Sequence, residues 1–248
     1  EDGFKTYAHK AAYSNMGKEL TFAEIDQLSK NFAAYLQNSG LKQGDRIAIQ
    51  MPNCLQYPVV LFGALRAGLV VVNTNPLYTP REMKHQFNDS GAKAIVIIAN
   101  FAFNLEKIIA ETGIEKIFVT ELGDLLGFPK KLVVNFVVKK VKKMVPAYNL
   151  PNAIPLSNAL SNGASMSYTK PSIKNTDIAF LQYTGGTTGV SKGAVLTHRN
   201  IVSNLEANNA WQGVLTRKIT DDKVVIVAAL PLYHIYALTV NAMTALKT

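Results

Sequence analysis

The chain has 248 residues, 48% of them hydrophobic, enough for one large domain or two small ones, and this composition excludes a largely disordered polypeptide. Cys54 is the only cysteine, which excludes an intrachain disulfide. The formal charge is +9, but six lysines lie between Lys130 and Lys143 with no acid among them, and removing those six leaves +3, so a diffuse nucleic-acid surface is not expected.

Residues 1–10 are mixed polar and carry no apolar leader. Thr21 and Glu24 have the spacing of a capping box, and Ile25, Leu28, Phe32 and Leu36 follow at helical spacing as far as Gly40. A strand is predicted over 46–50, a helix over 55–67 and a short buried run over 70–72. The most apolar stretch, 58–72, is interrupted by Arg66 and is too short to span a bilayer. Thr79, Pro80 and Glu82 repeat the N-terminal grammar of a helix, which should end near Gly91. A strand over 94–98, a helix over 101–112 and a strand over 117–120 come next. This alternation predicts an α/β fold, layered sheets flanked by helices with parallel pairing.

Residues 128–145 set Phe128, Leu132, Val133, Phe136, Val137, Val141, Met144 and Val145 largely at i+3 and i+4 steps, with lysines between them. As a helix this segment is basic and amphipathic. It suits either peripheral contact with an anionic membrane through Lys130 to Lys143 or packing on the domain with a solvated lysine face, and its valines leave a strand open over 132–138. Residues 146–176, with Pro146, Pro151, Pro155 and Pro171, predict a surface connection holding one short helix near 156–160. Strands over 178–183 and 193–197, a helix near 200–212 and an apolar strand over 223–229 complete the pattern, before an apolar helix that starts near 234 and is still running at 248. We therefore expect an N-terminal α/β portion over 1–175, which includes the basic insert and the linker-like stretch, a second unit starting at 176, and a chain that stops inside an element.

The densest chemistry is in residues 178–194, where an apolar strand runs into Thr184, Gly185, Gly186, Thr187, Thr188, Gly189, then Lys192 and Gly193. Glycines let backbone N–H groups converge on an anion, threonines add hydroxyl donors and a lysine adds a mobile positive charge. A Walker A loop is not matched, because Ser191 precedes Lys192 and Gly193 follows it. A plain glycine-rich hairpin would explain the turn but not three threonines and a lysine packed among four glycines.

Residues 183–193 resemble the AMP-binding signature of adenylate-forming enzymes: acyl-CoA synthetases, luciferases and the adenylation domains of peptide synthetases. Their usual form has Ser where this chain has Gly185 and Pro where it has Ser191; the Gly185 form is similar to that of bacterial long-chain acyl-CoA ligases and lacks one hydroxyl. Asp45-Arg-Ile-Ala, Met51-Pro-Asn, Gly68 with residues 73–82, Leu196-Thr-His-Arg-Asn200 and Leu230-Pro-Leu-Tyr-His234 look like further stations of this family in the same order. Together they cover nearly the whole chain except about 121–170. The resemblance implies part of the large N-terminal domain of a luciferase-like enzyme and a two-step reaction. A fatty carboxylate attacks the α-phosphorus of ATP, giving acyl-AMP and pyrophosphate, and coenzyme A thiol then displaces AMP. It gives catalytic roles to Thr184, Thr188, Lys192 and His234, and nucleotide binding to Thr184, Gly185, Gly186, Thr187, Thr188, Gly189 and Lys192. It gives substrate contacts to Tyr233, His234 and Tyr236. Mg²⁺ is expected to arrive with ATP, its protein ligand lying in a part beyond residue 248 along with the family's catalytic lysine, so this chain alone is expected to make no acyl-CoA.

The other candidates read as structural. His198 follows a strand and Thr197 suits a helix cap; His9 and His85 read as surface residues; residues 73–78 read as a stiff corner of Asx turns; Arg81 and Glu82 read as a first-turn surface pair. The four histidines and Cys54 lack zinc-like spacing, so no protein metal site is expected. A kinase-like phosphate user, for which Asp221 and Asp222 keep the case open, and a non-catalytic nucleotide- or lipid-binding module stand as alternatives. A cytoplasmic or inner-membrane peripheral location, fatty acid and coenzyme A as partners, and homo-oligomers through uncovered apolar surfaces complete the expectations.

Overall fold

A computed structural model describes residues 2–184, 191–216 and 225–244. Helix α1 (Asp2–Thr6) leads into a hairpin of β1 (Ala11–Asn15) and β2 (Lys18–Thr21), turned at Met16 and Gly17, both with positive φ. Positive φ at both turn residues matches the right-handed twist of the flanking strands. Thr21 and Glu24 close the expected capping box on α2 (Phe22–Asn38), whose apolar residues face the core. The chain continues through β3 (Arg46–Gln50), α3 (Gln56–Arg66), β4 (Val70–Asn73), α4 (Pro80–Ser90), β5 (Ala92–Ile98), α5 (Ala102–Glu106), β6 (Lys116–Thr120), α6 (Lys130–Phe136), β7 (Ala153–Pro155), α7 (Leu156–Gly163), β8 (Ile178–Thr184), β9 (Lys192–Thr197), α8 (His198–Thr216) and α9 (Ile235–Ala237).

Seven strands form one sheet in the order β7-β6-β5-β3-β4-β8-β9. Every neighbouring pair is parallel except β8–β9, an antiparallel hairpin at one edge. Strands on either side of residue 176 thus share one sheet. Side chains alternate across it: Ile47, Ile49, Val71, Val96 and Phe180 point into one core with α2, α3 and α7, while Ala48, Val72, Ile95 and Ile97 point into a second core with Met83 and Phe87 of α4 and Leu105 of α5. The result is three layers, helix–sheet–helix. Helix α3 is buried nearly all round, and Gly63 lets α2 approach it, since a Cβ there would sit 2.8 Å from the Phe32 ring. Arg66 at the end of α3 is buried and pairs with Asp26 of α2.

Several expectations need correction. The helix expected over 101–112 is broken into 3₁₀ turns around the five-residue α5. The expected strand over 223–229 is not formed over 225–229: these residues pair with no described strand and Val225 and Val227 are exposed, while 223–224 lie outside the described residues. Residues 146–176 are more than a connection, because β7 adds to the sheet edge beside β6 and α7 packs on α2. That strand is three residues long and starts after prolines, so no apolar alternation marks it. The helix starting near 234 is formed, but it widens to π geometry over Leu238–Met243. Residues 128–145 are helical over Lys130–Phe136 and π-helical over Val137–Val141.

Candidate functional site

Ligands of open α/β sheets bind beyond the carboxyl ends of the parallel strands. Here β3, β4 and β8 end side by side at Gln50, Asn73 and Thr184. The antiparallel register of β8 and β9 sets Thr184 directly opposite Lys192 and Tyr183 opposite Gly193. Residues 185–190, which hold Gly185, Gly186, Thr187, Thr188 and Gly189, lie outside the described residues. The glycine at 193 is required by packing, because a Cβ there would sit 2.9 Å from the Tyr183 ring.

Helix α4 fastens both limbs of this hairpin. Its start is fixed by the Thr79–Glu82 capping box with Pro80 in the first turn, and its end by Gly91 in the left-handed region at φ 60°. His85 Nε2 lies 3.0 Å from the Ser191 carbonyl oxygen, and the Tyr183 hydroxyl donates to the Asp89 carboxylate. Burial, and then the hydrogen bond to the Asp89 carboxylate and its charge, push the Tyr183 phenol up, so it stays protonated and keeps its donor. Gln86, between the two, is buried and donates to the Asn73 carbonyl. His85 is therefore more than the surface residue expected.

A second segment is sewn to the same edge. Asn53 Nδ2 donates to the Ala228 and Leu230 carbonyls at 2.9 Å each, and its Oδ1 accepts the Leu232 N–H. The fully buried Tyr57 hydroxyl lies 2.8 Å from both Asn73 Oδ1 and the Leu232 carbonyl, and burial holds its pKa well up, so it donates. Asn73 Nδ2 reaches Gln182 Oε1, and Gln182 Nε2 donates to the Tyr233 carbonyl. These bonds carry residues 230–236 beside the end of β8. There Tyr233, His234 and Tyr236, with Leu230 and Pro231, line an open cavity of about 260 Å³. His234 and Tyr236 are exposed and Tyr233 is half-buried.

The structure thus brings Thr184 and Lys192 together and sets Tyr233, His234 and Tyr236 along the same edge. His198 lies at the other end of β8, where it lines a second cavity with Gln43 and Asp177, and burial lowers its pKa. Thr197 and Asn200 cap α8 reciprocally. Residues 73–78 are the expected corner, with Asn75 Oδ1 accepting the Leu77 N–H. Sequence reasoning missed the supporting residues Tyr57, Gln182, His85 and Asp89. Only the last pair carries a signal, since residues 85 and 89 stand four apart on one helix and so share a face. Among the described residues no group of three His, Cys, Asp or Glu side chains could hold a metal ion.

The fold and this edge define a three-layer α/β protein with a candidate anion site on a hairpin at the carboxyl end of its sheet. The chain belongs to the AMP-binding enzyme family, whose family model matches residues 1–248. It is 56% identical over 244 residues to a long-chain-fatty-acid–CoA ligase of Escherichia coli and 51% identical over 245 residues to one of Haemophilus influenzae. In both cases 98% of this chain is covered and it spans 43% of the relative's length. A solved long-chain-fatty-acid–CoA ligase from Archaeoglobus fulgidus shares the fold at TM-score 0.68 and 22% identity, over 98% of this chain and 44% of that one.

Proposed function

We propose that the full-length protein activates a long-chain fatty acid with ATP, forming acyl-AMP and pyrophosphate, and then transfers the acyl group to coenzyme A. What supports this most is Lys192 held opposite Thr184 at the carboxyl edge of the sheet, in a member of the AMP-binding enzyme family. Thr184 and Lys192, with Gly185, Gly186, Thr187, Thr188 and Gly189, bind the β- and γ-phosphates, and Thr188 and Lys192 stabilise charge developing on the departing pyrophosphate. His234 orients the fatty carboxylate, and Tyr233 and Tyr236 form walls for the start of the acyl chain. Mg²⁺ arrives on the nucleotide. We infer a division of labour at 175/176, the earlier residues supplying the frame and the later ones the nucleotide and acyl contacts. The 248-residue chain by itself is expected to release no acyl-CoA. Trapping acyl-AMP as a hydroxamate tests the reading: full-length protein with ATP and hydroxylamine should yield palmitoyl hydroxamate, and none from folded protein with any acid would refute it.

A further observation favours peripheral contact with an anionic membrane, on its cytoplasmic face. Helix α6 turns two polar residues toward the domain: Asn135 bonds the Gly123 N–H and Asp124, and Lys131 pairs with Asp124. Val134 packs against the core, but other apolar residues on and around the helix are exposed, Phe128 by 86% and Leu132, Val133, Phe136, Val141 and Met144 each near 60%. Lysines 140, 142 and 143 are exposed beside them. A patch of large apolar side chains ringed by lysines suits acyl chains below and anionic headgroups around it. No described helix is long and apolar enough to cross a membrane. Binding to vesicles containing phosphatidylglycerol should fall when Lys139, Lys140, Lys142 and Lys143 become Glu; equal binding by both proteins would refute the contact.

A further inference from the structure

We propose that His85 and Asp89 of α4 are positioning residues for nucleotide binding, holding the two limbs of the β8–β9 hairpin so that Thr184 and Lys192 meet the phosphates of ATP. The inference rests on the phosphate-binding reading of this hairpin and extends it to two residues outside the family stations quoted above.

The argument starts from what fixes Lys192. Strand β9 is the edge of the sheet, so one side of its backbone has no strand partner among the described residues, and Lys192, Ala194 and Val195 are exposed. An exposed edge strand has little packing to define it. Its inner side is zipped to β8 through the Thr184–Lys192 and Tyr183–Gly193 pairs, so Lys192 can be no better placed than Tyr183 and Ser191, the residues that enter and leave the loop. Both are tied to one helix. Asp89 accepts the Tyr183 hydroxyl on the entering limb, and His85 Nε2–H donates to the Ser191 carbonyl on the leaving limb at 3.0 Å. Donation to a carbonyl requires the proton on Nε2, which both the Nε2-protonated neutral tautomer and the cation carry. The helix giving these contacts is itself well fixed: Met83 and Phe87 are fully buried, Gln86 bonds the end of β4, and both termini are capped.

The tie has a functional meaning beyond packing. A lysine contacts phosphate as a point charge on a long stem, and a displacement of about 1 Å weakens a charged contact and its alignment together. Packing alone would not need a side chain from α4 on the carbonyl immediately before that lysine. The effect should therefore be specific to nucleotide phosphates and depend on a donor at position 85, whatever the rest of the side chain.

The test uses the full-length protein and the non-hydrolysable analogue α,β-methylene-ATP with Mg²⁺, read by isothermal titration, on wild type, His85→Ala, His85→Gln and Asp89→Ala. We expect affinity to fall roughly tenfold in His85→Ala, the loss of about one hydrogen bond's worth of ordering. His85→Gln, whose amide N–H can replace Nε2–H, should stay within about threefold of wild type, as Asp89→Ala should not. Thioester formation from synthetic palmitoyl-AMP and coenzyme A, a step with no β- or γ-phosphate, should be unchanged in His85→Ala. Unchanged analogue binding in His85→Ala would overturn the inference. So would equal loss in His85→Ala and His85→Gln, equal loss in binding and thioester formation, or no binding by wild type. Wild type that binds the analogue with the expected variant pattern yet activates no fatty acid would defeat the ligase reading and leave this inference standing.

Discussion

Replacing Tyr57 by Phe isolates one hydroxyl at the junction of core and site. The ring is fully buried and stays, so no large cavity forms. What is lost is one donor hydrogen lying 2.8 Å from two buried acceptors, Asn73 Oδ1 and the Leu232 carbonyl. Asn73 keeps its bond to Gln182, and the Leu232 N–H keeps Asn53, so the segment stays tethered but less tightly. A single donor with two acceptors is counted once, and leaving buried acceptors short of a donor costs about 1–3 kcal/mol. At about 2 kcal/mol, opening of residues 230–234 becomes roughly 30-fold more frequent. Amide hydrogen exchange is the assay, followed at the His234 N–H, which is bonded to the Pro231 carbonyl. Exchange there should accelerate about 30-fold while the amides of β3 and β5 hold their rates. Unchanged exchange at 230–234 would refute the claim that Tyr57 anchors this segment.

Other consequences can be checked directly. Gly163→Ala would gain up to ~1 kcal/mol of helix propensity, but its Cβ would land on the Asn31 carbonyl oxygen and 2.7 Å from the carbonyl carbon, both backbone of α2. Overpacking costs about 1–3 kcal/mol, so the thermal midpoint should fall by a few degrees. Asp26 gives an acid limb to stability. Burial pushes its carboxyl up, but the bonds to Lys30 and Arg66 outweigh burial and hold it below its ordinary value. A folded pKa below the unfolded one means the stabilisation is fully present above about pH 4 and is lost as pH falls through the folded value. Asp26→Asn should therefore flatten the loss of thermal stability between about pH 4 and pH 2. Cys54 is buried and its thiol is pushed up to about 12, chiefly by that burial. Ellman's reagent should leave it untouched at neutral pH until denaturant exposes it.

Much of the fold was legible because its signals are local. The capping boxes at Thr21 and Thr79, the strand over 46–50 and the apolar runs of β4, β5 and β6 follow from side-chain spacing and short-range bonds. The β1–β2 hairpin was not, since Ala11 to Thr21 alternate weakly and the turn uses Met16 in the left-handed region. Strand β7 was hidden because its order comes from β6, not from its own three residues. Residues 225–229 read as a strand because of their valines, yet a strand needs a partner as well as propensity, and the described residues offer none. Within the candidate site, the threonines and lysine were legible as chemistry. The residues that tie β9 and residues 230–236 in place were not: Tyr57, Asn73, Gln182 and His85 act through contacts 13 to 175 positions away in sequence.

The most direct test of the central claim is pyrophosphate release by the full-length protein with ATP and palmitate, comparing wild type with Lys192→Ala. Loss of a charged contact to phosphate is worth about 1.5–3 kcal/mol, so kcat/KM for ATP should fall roughly 10- to 100-fold in a variant that still folds. Palmitate-dependent release that drops by that amount would support both the activity and the role of the hairpin. Release that is unaffected by Lys192→Ala, or that does not depend on the fatty acid, would contradict the account.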